Sequence, residues 1–402
     1  MTAYQKNVPL VHKGNPLIEA LPPVAARAQI GSELNRGPLV PLQECMQDPL
    51  DFRVYDVDGL DQIYFALPEI LDAAEAFDRA LRRGYLARNP MTRDGEYYRY
   101  QRLNIKWDPL QGVEALGCLF VEAESGLGKT TMLNRILSRY PQVIWHDGYN
   151  GQTFKQAQIV WLSVRAPRGG STNHLMVNII EALDRALGQD GTTRAFKTKD
   201  GRDLLATLEQ AVRSHFVGAI HIDDVQRFCS NRIGADEVRG FIVSLAEAVK
   251  VPIFLTGTPE ATRFFGDSFE VARRACHLGA FQLHRASNHE DKTYRAMVTF
   301  LLNHQLVDVP LKIDANGAVF QKLYELSLGV TSVLKKLHID AQKIALSARD
   351  AREGNVALAI THYEKAAKAL KVLTKKLREL NPRLTEAELL AAAVARDDES
   401  HA

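Results

Sequence analysis

"AESGLGKTT", residues 123–131, follows a short apolar run at 116–121 and precedes an amphipathic stretch that begins at Met132. It matches the pattern G-x-x-x-x-G-K-[ST] at every fixed position except the first, where Ala123 replaces glycine. In this pattern, backbone N–H groups and the positive end of a helix point together at phosphate oxygens. The sequence therefore predicts a phosphate-binding loop between a strand and a helix. The extra methyl group of alanine is expected to leave binding intact.

The loop residues predict a site for a nucleotide and a metal ion. Lys129 is expected to reach the β- and γ-phosphate oxygens, and the Thr130 hydroxyl to ligate Mg²⁺. The expected ligands are therefore ATP and Mg²⁺. The residues assigned to nucleotide binding are Glu124, Ser125, Gly126, Leu127, Gly128, Lys129, Thr130 and Thr131.

Bulk composition limits the class of protein. A chain of 402 residues that is 46% apolar is long enough for two or three domains with packed cores. It has no long apolar run and no signal-like N-terminus, so we expect no membrane association and a cytoplasmic location. Four scattered cysteines without a C-x-x-C pair favour neither a zinc site nor disulfides. Because the net charge is only +2, any nucleic-acid contact must come from local basic clusters.

The secondary-structure pattern divides the chain into four parts. Seven prolines in the first 50 residues exclude a long helix there and indicate an extended arm. Between 116 and 257, amphipathic helices alternate with the short strands LGCLFVEA, QVIWHD, QIVWLSV, VGAIHID and VPIFLTG, as in a parallel α/β sheet. The sequence after 290 is helical. The expected domains are an N-terminal extension with an arm and a helix (1–105), an α/β ATPase core (106–288), a helical lid (289–370) and a C-terminal helical extension with a tail (371–402).

VGAIHIDDVQ, residues 217–226, ends in two acidic residues suited to magnesium and water. Asp223 is expected to hold the Mg²⁺ water shell from the tip of its strand. Asp224 stands where such ATPases usually have a glutamate that polarises the attacking water. Because aspartate is one methylene shorter, hydrolysis is expected to be slow unless the backbone compensates. The alternative is that Asp224 only caps the following helix.

VPIFLTGTPE, residues 251–260, is a second apolar strand with hydroxyl groups at its tip. Thr258 is the candidate to contact the γ-phosphate or to hold the attacking water, and a simple turn before Pro259 is the alternative. Further along, Arg273 and Arg274 are adjacent. Either one would make hydrolysis depend on assembly by neutralising the γ-phosphate of a neighbouring copy, and ordinary solvation is the alternative.

The order of these motifs resembles that of an AAA+ ATPase, and a longer stretch narrows the likeness. Residues 140–188, with IDDVQ, LTGTPE, ARR and LGVTSVLKKLHIDAQKIAL, resemble the TnsC/TniB regulators of Tn7-like and CRISPR-associated transposons, over roughly 115–350. The resemblance implies an AAA+ P-loop core with a helical lid. It also implies an ATP-dependent adaptor that oligomerises on double-stranded DNA as a ring or a helical filament. Its implied protein partners are a target selector of the TniQ/TnsD type and a transposase.

One departure from the AAA+ pattern concerns the lid. Many AAA+ lids place an arginine three residues after the glycine that opens a lid helix, but Ser332 stands at that spacing from Gly329. Lys335 or Lys336 is a candidate substitute; otherwise the lid does not contact ATP directly. Together with Asp224, this departure favours slow ATP hydrolysis that sets the duration of a state over the fast hydrolysis of a motor protein.

The resemblance also implies a DNA-contacting region within 140–188. Hydroxyl, amide and cationic side chains there suit phosphate contacts, which position a protein without reading bases. The candidates are Lys155, Arg165, Arg168, Ser171, Thr172 and Asn173. Because each copy supplies few charges, affinity is expected to come from repetition along an open head-to-tail assembly. The alternative is that these are ordinary solvated loop residues.

The C-terminal part of the chain contains a basic helical pattern. Thr361 and Glu364 are interpreted as a capping box, and residues 365–380 hold six Lys/Arg and one acidic residue. This segment is either a lid helix with a solvated face or an extension that docks on a nuclease, a transposase or DNA.

The leading hypothesis is an ATP-gated transposition regulator with slow, assembly-dependent ATP hydrolysis that dismantles the oligomer. The first alternative is an initiator- or loader-type ATPase that remodels DNA, which fast DNA-stimulated turnover with strand separation would favour. The second alternative is a scaffold that binds a nucleotide without hydrolysing it.

Overall fold

The chain folds into two compact units in a computed structural model that describes residues 2–100, 117–168, 171–189, 201–230, 235–261, 276–348, 351 and 354–370. Unit 1 comprises Met1–Leu34 and Ala66–His284, and unit 2 comprises Asn35–Phe65 and Arg285–Ala402. The described strands are β1 (Cys118–Ala123), β2 (Val143–Tyr149), β3 (Gln152–Ile159), β4 (Trp161–Arg165), β5 (Ala219–Asp223), β6 (Ile253–Gly257) and β7 (Gly279–Leu283).

Helices make up most of the remainder of the described residues. The α-helices are α1 (Pro16–Glu19), α2 (Arg27–Leu34), α3 (Leu42–Cys45), α4 (Leu50–Asp56), α5 (Pro68–Leu86), α6 (Arg93–Tyr100), α7 (Lys129–Ser138), α8 (Thr172–Leu187), α9 (Gly201–Ser214), α10 (Ala235–Val249), α11 (Lys292–Leu302), α12 (Ala318–Ser327), α13 (Thr331–Leu346) and α14 (Ile360–Ala369). Short 3-10 helices span Leu10–His12, Val57–Gln62 and Val225–Ser230. No helix among the described residues is both long and apolar enough to cross a membrane.

Unit 1 is built on a five-stranded parallel sheet with the order β4-β5-β6-β1-β7. The predicted parallel α/β core is therefore confirmed. β5 and β6 are buried along their whole length, as expected for parallel strands covered on both faces. Leu175, Ile179 and Leu183 of α8 are fully buried in the same core cluster as Ile220 of β5. Each such side chain contributes about 1.5–3 kcal/mol by leaving water.

β2 and β3 form a separate antiparallel hairpin, in which Tyr149 pairs with Gln152. The assignment of QVIWHD to the parallel sheet is therefore wrong, and QIVWLSV divides between β3 and β4. The turn residues Asn150 and Gly151 have φ values of 47° and 79°. Asn-Gly is the pair that a two-residue turn with positive φ favours, because both residues tolerate the left-handed region. The signal for this hairpin was present in the sequence.

The proline-rich N-terminal segment forms short helices in place of the expected extended arm. The helices before residue 57 contain at most eight residues, which confirms that the prolines exclude a long helix. Asn15 caps α1 by accepting the Leu17 N–H at 3.0 Å. Leu17, Ile18 and Leu21 are fully buried. The part of this segment around α1 therefore belongs to the packed core of unit 1.

Residues 35–65 pack in unit 2 with the helices that follow residue 285. Arg53 on α4 forms an ion pair with Asp308 at 2.9 Å, and their side chains are 8% and 12% exposed. Lys335 on α13 pairs with Asp61 at 3.0 Å. This division differs from the expected N-terminal extension at 1–105, because the contacts join segments 255 residues apart in the sequence. Periodicity within one segment carries no signal of such pairing.

The last described helix, α14, differs at its N-terminus from the predicted capping box. Its N-cap is Ala359, and the Ala359 N–H donates to His362 Nδ1 at 3.1 Å. Thr361 lies inside the helix, and Glu364 pairs with Lys322 at 3.3 Å. The rest of the basic segment and the predicted C-terminal extension at 371–402 lie outside the described residues.

Two glycines give a matched test of packing in unit 1. A Cβ atom at Gly218 would overlap Tyr85 Oη and the Val160 carbonyl oxygen, whereas nothing lies within 4 Å of one at Gly240 on α10. We expect Gly218→Ala to destabilise the protein by about 3 kcal/mol and Gly240→Ala to stabilise it by about 0.5–1 kcal/mol. Thermal unfolding followed by calorimetry measures both. Equal midpoints for the two variants would contradict this packing of α5 against the sheet.

Candidate nucleotide-binding site

The predicted phosphate loop joins β1 to α7 at the carboxyl edge of the parallel sheet. Gly126 and Gly128 have φ values of 88° and 86°, in the left-handed region that glycine adopts at no steric cost. Nothing lies within 4 Å of a Cβ atom built on Gly128, the N-cap of α7, so the space above it is open. Ala123 is the last residue of β1 and is not among the residues with positive φ. Its backbone therefore does not require glycine, which explains this departure from the motif.

Lys129 is the first residue of α7, and its ammonium group lies against the loop. Nζ donates to the carbonyl oxygens of Ala123 at 2.6 Å and Glu124 at 3.2 Å. Burial lowers the pKa of Lys129, while the carboxylates of Asp223, Asp224 and Glu124 act to raise it. A half-buried ammonium among three carboxylates is suited to bind a polyanion that brings its own metal ion.

Thr130 and Asp223 meet between the loop and β5. Thr130 Oγ1 donates to Asp223 Oδ2 at 3.2 Å, and Thr256 Oγ1 donates to Oδ1 at 2.6 Å. Burial is the largest single effect on the Asp223 pKa and raises it, but the hydrogen bond from Thr256, the electrostatic effect of the His221 ring and the bonds from Asp224 N–H and Thr130 together lower it. The pair thus presents a hydroxyl and a carboxylate, the hard oxygen ligands that Mg²⁺ takes. These residues fit the predicted magnesium site.

Asp224 follows β5 with a φ of 57°, a left-handed conformation that aspartate tolerates better than most residues. Its Oδ2 pairs with Arg165 Nε at 3.0 Å and with Arg227 Nε at 3.4 Å. Its Oδ1 accepts from Gln226 Nε2 at 3.0 Å. Both carboxylate oxygens are therefore engaged by donors. Arg165 reaches Asp224 because β4 and β5 are neighbours and Arg165 lies opposite Asp223.

Thr258 lies just beyond the carboxyl end of β6. Its Oγ1 is buried and has no hydrogen-bond partner among the described residues. Its N–H donates to Gln226 Oε1 at 3.2 Å, so Gln226 bridges Asp224 and Thr258. Gln226 is the last residue of IDDVQ, and no local pattern in the sequence predicts its bridging role. A buried hydroxyl without a described partner, on a residue that Gln226 joins to Asp224, fits the predicted contact with a phosphate oxygen or water.

His221 is a site residue that sequence analysis missed. It lies on β5, two residues before Asp223, and is 2% exposed. Its ring nitrogens contact Ser163 Oγ and Thr256 Oγ1, both at 2.9 Å. Burial lowers its pKa to about 3, with the Asp223 charge acting in the opposite direction. The available signal was a polar residue at a buried position of an apolar strand.

The six candidate DNA residues all lie in unit 1 around the hairpin, β4 and α8. Lys155 lies on β3 and not in a loop, while Arg165 ends β4 and Arg168 follows it. Ser171 is the N-cap of α8, where its side chain accepts the His174 N–H at 3.3 Å, and Thr172 and Asn173 form the first turn. Lys155, Arg165, Arg168 and Asn173 are exposed. Their contact with DNA stays a prediction.

The two candidate arginine fingers and the lid residues lie elsewhere in the chain. Arg273 and Arg274 are outside the described residues. Ser332, Lys335 and Lys336 belong to α13 in unit 2, where Lys336 pairs with Asp340 at 2.7 Å. Their roles toward a nucleotide stay predictions.

Comparison with known proteins identifies the domain that carries the loop. No curated protein matches the sequence. The Walker-type ATPase of Pyrococcus abyssi is 15% identical, with 66% of this chain and 72% of that chain covered and a TM-score of 0.40. Cdc6p from Pyrobaculum aerophilum is 13% identical, with 76% of this chain and 68% of that chain covered and a TM-score of 0.40. Domain III of the Thermotoga maritima replication initiation protein DnaA is 14% identical, with 63% of this chain and 83% of that chain covered and a TM-score of 0.37. Residues 114–265 match the AAA domain family. These residues contain β1 to β6 and the phosphate loop, so the part of the chain that matches the AAA domain model is the parallel α/β core with its P-loop.

Proposed function

We propose that this chain is an ATP-dependent regulator of DNA transposition. Its ATP hydrolysis is slow, and binding to DNA raises the rate. The observation that carries the proposal is the ion pair between Arg165, a candidate DNA contact, and Asp224, the candidate base. It joins the two predicted functions of the chain in one contact.

The nucleotide part of the proposal rests on the loop and on its two neighbouring strands. The N–H groups of residues 125–130 and the Lys129 ammonium would hold the β- and γ-phosphates. Thr130 and Asp223 would hold Mg²⁺, which supplies positive charge to the phosphate oxygens when bound. The buried Thr258 hydroxyl, which has no partner among the described residues, would bind a γ-phosphate oxygen or the attacking water.

The slow rate follows from the surroundings of Asp224. A general base must have a carboxylate oxygen that is free to take a proton from water. Here Arg165 and Arg227 hold one oxygen, and Gln226 holds the other. Asp224 must therefore give up at least one of these contacts before it acts as a base, which adds to the barrier for hydrolysis.

DNA is the partner that would release Asp224. The Arg165 side chain is 59% exposed, so its guanidinium group is accessible to a DNA phosphate. Arginine binds phosphate with the same bidentate donor geometry that it uses for carboxylate. A phosphate that takes Arg165 would leave Asp224 Oδ2 with a single, longer contact to Arg227 at 3.4 Å, so that one lone pair of this oxygen is open to water. Hydrolysis would then proceed mainly on DNA, which suits a regulator that leaves its target after assembly.

The assembly and transposition parts of the proposal are supported by the resemblance of residues 115–350 to TnsC/TniB regulators. In this proposal, copies join head to tail on duplex DNA with ATP between them, and Arg273 or Arg274 completes the site of the neighbouring copy. The assembly links a target selector to a transposase, and ATP hydrolysis dismantles it.

Replacing Arg165 by glutamine tests the coupling between DNA and hydrolysis. We expect basal ATP hydrolysis without DNA to rise about 2- to 5-fold, the rate equivalent of losing an ion pair worth up to ~1 kcal/mol. Stimulation by duplex DNA should disappear. The measurement is phosphate release from the purified chain with and without DNA. Arg185→Gln is the matched control, because it removes an exposed arginine in the last turn of α8 that is not a candidate DNA contact and has no contact with Asp224 among those described, so both the basal rate and the stimulation by DNA should be unchanged.

An unchanged basal rate in Arg165→Gln, with DNA stimulation intact, would contradict the coupling. One observation favours a second candidate function, a scaffold that binds ATP without hydrolysing it: both oxygens of Asp224 are engaged. The same measurement separates the two functions. A scaffold releases no phosphate in any of these variants, with or without DNA.

A further inference from the structure

We infer that His221 is a positioning residue for the magnesium site: through Thr256 it fixes which oxygen of Asp223 is left for the metal side of the pocket. Ser163, His221 and Thr256 form a polar row across three neighbouring strands, β4, β5 and β6. The inference rests on the proposed function, because it concerns the same magnesium site.

The donors and acceptors of the row follow from counting protons. Asp223 Oδ1 accepts from the Asp224 N–H at 2.8 Å and from the Thr256 hydroxyl at 2.6 Å, so the single proton of that hydroxyl is already donated. The contact between Thr256 Oγ1 and His221 Nε2 at 2.9 Å therefore requires an N–H on Nε2. A neutral imidazole then has an acceptor at Nδ1, to which Ser163 Oγ donates at 2.9 Å. One arrangement of protons satisfies the whole row.

This arrangement acts on Asp223 by occupying one of its oxygens. Oδ1 accepts from Thr256 and from the Asp224 N–H at 2.8 Å, whereas Oδ2 accepts from the exposed Thr130 hydroxyl at 3.2 Å. Oδ2 is therefore the oxygen on the side of the phosphate loop. Groups that hydrogen-bond to a metal-binding side chain hold that side chain in the orientation that the metal needs.

His221 restricts the rotation of the Thr256 hydroxyl group. Thr256 and His221 are 0% and 2% exposed, so water is not available to replace a missing partner. Without the Nε2–H donor, the hydroxyl oxygen of Thr256 would be left with an unsatisfied acceptor in a buried site. The hydroxyl is then free to rotate toward another acceptor and to release Asp223 Oδ1.

The test measures how much Mg²⁺ is needed for binding of a fluorescent ATP analogue, with binding in EDTA as the reference. We expect His221→Leu and the isosteric Thr256→Val each to raise the Mg²⁺ concentration at half-maximal binding about 10-fold. Binding in EDTA should change little, because the row does not contact the phosphate loop. His221→Gln keeps an N–H donor in the side chain and should restore the wild-type Mg²⁺ dependence to within about 2-fold.

The double variant His221→Leu/Thr256→Val separates positioning from general destabilisation. Because His221 acts through Thr256, the double variant should need no more Mg²⁺ than Thr256→Val alone. Additive effects, an equal loss of binding in EDTA, or wild-type Mg²⁺ dependence in Thr256→Val would overturn the inference. The Thr256→Val result decides even if His221→Leu does not fold. A wild-type chain that binds no ATP analogue at any Mg²⁺ concentration would instead overturn the proposed function.

Discussion

Lys129→Ala is expected to weaken ATP binding about 100-fold and to abolish ATP-dependent assembly on duplex DNA. The ammonium group lies at the start of α7 and is held against the loop by the Ala123 and Glu124 carbonyl oxygens. A charge-assisted hydrogen bond to phosphate contributes about 1.5–3 kcal/mol, which corresponds to a factor of about 10 to 100 in affinity. Losing the charge also leaves Asp223 and Asp224 to repel the phosphates, so we expect the upper end of this range.

Isothermal titration with ATP and Mg²⁺ measures the affinity, and sedimentation with electron microscopy measures the assembly. Lys292→Ala is the matched control, because Lys292 is an exposed lysine at the first position of another helix, α11. It should bind ATP and assemble like the wild type. DNA-bound, ATP-dependent assemblies that persist unchanged in Lys129→Ala would show that the nucleotide at this loop does not control assembly.

The phosphate loop was predictable from sequence because its geometry is encoded locally. Gly126 and Gly128 need the left-handed region, and Lys129 and Thr130 follow at the fixed spacing that starts a helix. The parallel sheet was predictable for a similar reason, since short apolar runs alternate with amphipathic helices. The hairpin of β2 and β3 differs from the prediction although Asn150 and Gly151 signal it, because its two apolar strands have the same pattern as strands of the parallel sheet.

The contacts that set the chemistry of the site were not predictable from spacing. Arg165 and Asp224 lie 59 positions apart in the sequence and meet because β4 pairs with β5 in a particular register. His221 and Thr256 meet because β5 pairs with β6. Each residue was visible in the sequence, but its neighbour depends on the order of the strands, which no local pattern records. For the same reason, the placement of residues 35–65 in unit 2 was not foreseen.

Asp224→Asn is expected to lower ATP hydrolysis about 100-fold while ATP binding and assembly on DNA are retained. An amide oxygen is too weakly basic to take the proton from water, and general-base catalysis contributes about 10²–10⁴-fold. Asparagine has the same size as aspartate and tolerates the φ of 57° at this position, so the backbone is expected to stay in place. Its Oδ1 can still accept from Gln226. The substitution therefore removes the base with little change in the shape of the site.

The expected signature of Asp224→Asn is an assembly that forms with ATP and does not come apart. Light scattering on duplex DNA should rise for Asp224→Asn as it does for the wild type. The signal should then fall for the wild type and stay high for the variant. Asp223→Asn is the contrasting variant, because the loss of a magnesium ligand should prevent growth of the signal. If Asp224→Asn decays like the wild type without hydrolysis, nucleotide turnover is not what dismantles the assembly. If it hydrolyses ATP at the wild-type rate, another group activates the water, and Asp224 is then a cap for the helix at Val225–Ser230 whose ion pair with Arg165 is structural.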